Sequence, residues 1–72
     1  MKKIYKLEDL DCANCAAKME AAISKLDGVK SATVNFIAQK MTLEADDDRF
    51  DEILKAAIKE IKKVEPDCEV VL

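Results

Sequence analysis

The stretch Ile4-Tyr5-Lys6-Leu7-Glu8-Asp9-Leu10-Asp11-Cys12-Ala13-Asn14-Cys15-Ala16-Ala17-Lys18-Met19-Glu20-Ala21-Ala22-Ile23 changes its pattern across two cysteines. On the first side, Tyr5 and Leu7 alternate with Lys6 and Glu8, as in a half-buried strand. On the second side an alanine-rich run with neither Gly nor Pro forms helix strongly. Cys12 and Cys15 are thus placed on a strand-to-helix loop, at the positive end of a helix macrodipole. That field favours thiolate over thiol, and thiolate is the form that binds metal or attacks a disulfide. Two thiols separated by two residues can close on one soft ion when the second lies in the opening turn of the helix. A metal site, a redox dithiol and a chance pair of small packed residues are the competing readings. A cysteine pair that opens a helix is hard to account for as packing.

Working outward, the first helix is expected over residues 13–26, with Cys15, Met19, Ala22, Ile23 and Leu26 on one apolar stripe. Lys18, Glu20, Ser24 and Lys25 would face water. Asp27-Gly28 supplies the stop, the chain's only glycine suiting a left-handed cap. Met19, a full turn beyond Cys15 on the buried stripe, reads as core in preference to a soft ligand. Ala32, Val34 and Phe36, then Met41, Leu43 and Ala45, alternate as two hairpin strands over 29–36 and 40–45.

Asp46-Asp47-Asp48 lacks the spaced ligands, glycine and closing glutamate of a calcium loop. It reads as an N-cap with extra negative charge opening a second helix over 48–63. Phe50, Ile53, Leu54, Ala57, Ile58 and Ile61 form that helix's apolar face, and Lys59, Lys62 and Lys63 complement its end. Pro66 breaks it. A last strand over 67–71, preceded by another at 2–8 at the start of the chain, completes the elements. Cys68 alternates there with Val70 and Leu72, which favours a buried thiol over a third ligand.

Seventy-two residues, half of them apolar, make a single domain near the lower size limit for an autonomous core. With 12 basic and 15 acidic residues and only Tyr5, Phe36 and Phe50 as aromatics, nucleic-acid binding is not expected. No apolar run reaches spanning length, so no membrane contact is expected. Three cysteines, an odd number, argue against a disulfide framework and for a reducing, cytoplasmic setting. The order strand, helix, strand, strand, helix, strand is that of an α+β, ferredoxin-like βαββαβ domain. Each helix has one apolar stripe, so both should pack on one face of a four-stranded antiparallel sheet. That arrangement serves many functions, and the loop has to decide among them.

Leu10-Asp11-Cys12-Ala13-Asn14-Cys15-Ala16, Leu26-Asp27-Gly28-Val29 and Val34-Asn35-Phe36 resemble the heavy-metal-associated domain over the whole chain. That family includes metallochaperones and the N-terminal domains of metal-exporting P-type ATPases. The resemblance implies that Cys12 and Cys15 are the metal thiolates. The family's loop usually begins Gly-Met, where this chain has Asp9-Leu10. Its last loop often carries Gly and an aromatic, where this chain has Glu65-Pro66-Asp67.

Copper-type members usually have a neutral residue before the first cysteine, whereas zinc, cadmium and lead exporters often have Asp, as Asp11 here. Charge leads the same way, since two thiolates and one carboxylate leave −1 around Zn²⁺ but −2 around Cu⁺. A helix cap is the alternative role for Asp11. The expected function is therefore binding of Zn²⁺, Cd²⁺ or Pb²⁺ by Cys12, Cys15 and Asp11, without catalysis by the domain itself. A monomer is expected to pass the ion to a donating or accepting protein domain, as in an exporting ATPase. A Cu⁺ chaperone or copper-ATPase domain is the first alternative, and a small thiol-disulfide oxidoreductase the second.

Overall fold

The computed structural model describes all 72 residues. Its elements are β1 (Lys2–Glu8), α1 (Ala13–Ser24), β2 (Val29–Asn35), β3 (Lys40–Ala45), a short 3₁₀ turn (Asp47–Arg49), α2 (Phe50–Val64) and β4 (Glu69–Val71). The sheet order is β2-β3-β1-β4, antiparallel throughout. This is the ferredoxin-like arrangement that the order of elements leads one to expect.

Alternation decides what each strand buries. Leu7 on β1, Val34 on β2 and Met41, Leu43 and Ala45 on β3 point into the core, while Lys6, Thr33 and Lys40 face water. Register brings Tyr5 opposite Met41, Met41 opposite Val34, and Leu7 opposite Val70. Onto this face α1 packs Ala16, Met19 and Ile23, and α2 packs Phe50, Ile53, Ala57 and Ile61. Each large apolar side chain taken fully from water contributes about 1.5–3 kcal/mol, which makes this aliphatic layer the main support of a small domain. Cys68, fully buried just before β4, belongs to the same core.

Several boundaries differ from expectation for local reasons. α1 ends at Ser24, not at residue 26, because Lys25 and Leu26 switch to bonds with the carbonyls of Ala22 and Ile23, tightening the last turn. Gly28 is left-handed, at φ +91°, but it lies in the turn from Leu26 to Val29 and is not the helix cap. β2 carries a bulge, with Val29 opposite Ala45 and Ser31 opposite Glu44, so Lys30 is the extra residue. β4 begins at Glu69, because Cys68 N–H bonds the Glu65 carbonyl to close a turn around Pro66.

The aspartate run behaves differently from an N-cap. Asp46 makes no cap hydrogen bond and lies 3.5 Å from the Lys30 ammonium, and residues 47–49 form a 3₁₀ lead-in before α2 starts at Phe50. Glu20, expected in water, is half-buried and accepts a hydrogen bond from the Val34 N–H at 2.9 Å. Since β2 is an edge strand, this carboxylate covers one of its open backbone donors.

Two left-handed residues frame α1, and they should respond to substitution in opposite ways. A Cβ on Gly28 would meet Ile53 Cδ1 at 2.7 Å, so Gly28→Ala is expected to lower stability by about 1–2 kcal/mol. Asp9 holds φ +62°, the conformation natural to the glycine usual at that place, so Asp9→Gly should be neutral or stabilising by up to about 1 kcal/mol. Urea unfolding of the metal-free proteins checks both signs. A Gly28→Ala variant as stable as the parent would contradict the packing described here.

Candidate metal site

An antiparallel sheet in this order gathers three connections at one end: β1 to α1, β2 to β3, and α2 to β4. The first holds Asp9-Leu10-Asp11-Cys12. Leu10 is 2% exposed and plugs the core directly beneath this loop. Cys12, with extended backbone, is the N-cap of α1, and its sulfur accepts the Cys15 N–H at 3.3 Å. Cys15 therefore stands at the third helical position, one turn in, with both thiols half-buried.

The capping role expected as the alternative for Asp11 thus falls to Cys12. Asp11 is exposed and makes neither a hydrogen bond nor an ion pair. It flanks the thiols without being drawn to them, and no three Cys, Asp or Glu side chains are gathered closely enough to hold an ion in this conformation. Cys68 is sealed in the core, apart from the loop surface.

The sequence places Glu65 in the last loop and leaves open whether it joins the thiols. This half-buried residue ends α2, with its N–H bonded to the Ile61 carbonyl, and its carboxylate is near enough to raise the Cys15 thiol's pKa. The signal available was its place in the last loop, but only the fold turns it toward the cysteines. Lys62, one turn earlier, does not shield the thiols, because it pairs with Glu69 at 2.6 Å.

The two thiols titrate as a pair. Cys12 is pulled below the usual thiol range, first by the neighbouring Cys15 thiol and then by the Cys15 N–H. Cys15 is pushed up to about 11 by its partner thiol Cys12, by desolvation, and by the nearby Glu65 carboxylate. Desolvation also raises Cys68, with the Glu65 charge adding to it. The first proton of the pair leaves readily and the second is held, so a cation that replaces that second proton gains two thiolates and relieves the charge beside Glu65.

Comparison with known proteins places this geometry in context. The pattern of the heavy-metal-associated domain matches residues 4–65. A cadmium, zinc and cobalt-transporting ATPase of Bacillus subtilis is 33% identical over 70 residues, which cover 97% of this chain and 10% of that protein. The chain spans only 6% to 10% of the transporting ATPases that it matches first. The copper chaperone CopZ of Staphylococcus epidermidis is 38% identical over 60 residues, covering 82% of this chain and 88% of the chaperone.

Among solved structures, a CopZ metallochaperone superposes with a TM-score of 0.74 at 25% identity, covering 99% of this chain and 100% of the other. The Cu(I)-loaded N-terminal domain of a potential copper-translocating P-type ATPase from Bacillus subtilis gives 0.76 at 25% identity, covering 99% and 84%. The family pattern thus takes in both cysteines, both helices and the first three strands, and the chain belongs to the heavy-metal-associated domain family.

Proposed function

We propose that this domain takes up Zn²⁺, Cd²⁺ or Pb²⁺ on the thiolates of Cys12 and Cys15 and hands it to another protein domain by ligand exchange. The observation that carries the reading is the geometry of the pair. One sulfur caps α1 and the other lies a turn along it, both at the outer end of the molecule. Asp11, exposed and unpaired, can turn in as a third donor, and Glu65 offers a second carboxylate from the opposite loop.

Two thiolates and one carboxylate leave −1 on a divalent ion, and a second carboxylate leaves −2. With Cu⁺ each total is one charge more negative, and Cu⁺ needs no oxygen donor. Two or three protein ligands leave positions through which a partner's thiolates enter before the first bonds are lost. Ile37, 92% exposed on the hairpin tip at the same end, offers an apolar contact to a docking domain.

The match to cadmium-transporting ATPases supports a role as the N-terminal domain of such an exporter, on its cytoplasmic side, acting as a monomer and not as a catalyst. Neither nucleic acid nor the bilayer is a partner in this reading, and no helix is long and apolar enough to cross a membrane. A Cu⁺ chaperone is the second reading, favoured by the match to nearly the whole of CopZ. The matched relatives transport or carry metals, which favours metal transfer over disulfide chemistry.

Titrations with Zn²⁺ and Cu⁺ under reducing conditions separate these readings. Cys12→Ser and Cys15→Ser should each abolish tight binding while the urea midpoint holds. Asp11→Ala should weaken Zn²⁺ about tenfold, about 1.4 kcal/mol, and leave Cu⁺ binding equal or stronger. Equal losses for both ions would return Asp11 to a structural part. Tight binding by the double cysteine variant would overturn the site itself.

Binding should also depend on pH with a defined sign. Protons compete with the ion below each thiol pKa, and the higher of the two lies at about 11. Apparent Cd²⁺ affinity is expected to rise by at least about tenfold per pH unit from about pH 6 to pH 8, with one to two protons released per ion. A flat profile would contradict binding through this thiol pair.

A further inference from the structure

Gln39 lies in the turn between β2 and β3 at φ +55°, a left-handed conformation unfavourable for any side chain with a Cβ. A residue persists there only when its surroundings hold it. What holds Gln39 is the loop that carries the cysteines. Its Oε1 accepts the Leu10 N–H at 3.1 Å, and its Nε2 donates to the Leu10 carbonyl at 2.7 Å and to the Phe36 carbonyl at 2.7 Å. Its own carbonyl accepts the Leu7 N–H at 2.7 Å. No other side chain hydrogen-bonds the backbone of residues 9–12.

We infer that Gln39 is a positioning residue for metal capture: its amide clamps both peptide groups of Leu10 and thereby sets the approach of the chain to Cys12 and Cys15. The inference rests on the proposal that those thiols hold the ion. Leu10 is then fixed twice, through its buried side chain and through its backbone, two residues before the first sulfur. Only a side-chain amide can do this, because one group must accept from Leu10 N–H while also donating to Leu10 and Phe36 carbonyls. Without the clamp, residues 9–11 regain backbone freedom, and the ion has to order them on binding.

Two variants separate this role from simple support of the hairpin. Gln39→Gly removes the clamp but suits the left-handed turn, so the fold should keep its urea midpoint. Gln39→Glu keeps an acceptor for Leu10 N–H and loses both donated bonds. Amide exchange at Leu10 in the metal-free proteins, and Cd²⁺ affinity by competition with a chelator, are measured beside wild type and the Cys12→Ser/Cys15→Ser double variant. Leu10 exchange should quicken in Gln39→Gly, and Cd²⁺ affinity should fall about tenfold in both Gln39 variants, with the Gln39→Gly midpoint unchanged. Unchanged Leu10 exchange and wild-type affinity in both Gln39 variants would overturn the clamp alone. A wild type that binds Cd²⁺ no better than the double cysteine variant would overturn the metal reading and this inference with it.

Discussion

The burial of Leu10 is the constraint from which the site follows. Its side chain, 2% exposed, ties the β1–α1 loop to the core that includes Leu7, Met19, Ile61 and Cys68. With that point fixed, the chain reaches Cys12 in an extended conformation and turns into α1 at once. The sulfur of Cys12 then takes the place of the usual Ser or Asp cap, accepting the Cys15 N–H. In the proposed reading, helix initiation and metal capture draw on the same atom. Binding through Cys12 would then need little rearrangement, and two helices already cover the sheet without an ion.

Charge at this end of the molecule works in the same direction. The neighbouring Cys12 and desolvation keep the proton on Cys15, and the Glu65 carboxylate adds to this, so the pair resists full ionisation until a cation replaces that proton. In the proposed function, an arrangement of this kind favours exchange over permanence. A closed site of four protein ligands would be structural, whereas the proposed two thiols and flanking carboxylates would leave room for an incoming dithiol.

Much of this was legible in the sequence because it depends on neighbours close along the chain. The alternation of Tyr5 and Leu7, the helix after Cys15, the apolar face from Phe50 to Ile61 and the inward placing of Cys68 are all local patterns, and the structure keeps them. What escaped depends on residues brought together only by the fold. Glu20 reads as a solvent-facing helix residue until β2 presents an unpaired N–H beside it. Gln39 reads as a turn residue until the Leu10 backbone arrives from 29 positions away. Glu65 reads as a loop residue whose part in the site stays open until the sheet order sets it beside Cys15. Asp11 gave way to Cys12 as the cap because a thiol can accept the same hydrogen bond as a carboxylate, a choice that composition does not reveal.

In the proposed function the ion leaves by direct exchange between thiols. The direct measurement follows Cd²⁺ passing from the loaded domain to a dithiol acceptor in stopped flow, using the thiolate-to-metal absorption band, while acceptor concentration is varied. Exchange through open positions predicts a rate that rises with acceptor concentration and exceeds spontaneous release to a carboxylate chelator. A rate independent of acceptor concentration and equal to spontaneous release would contradict it.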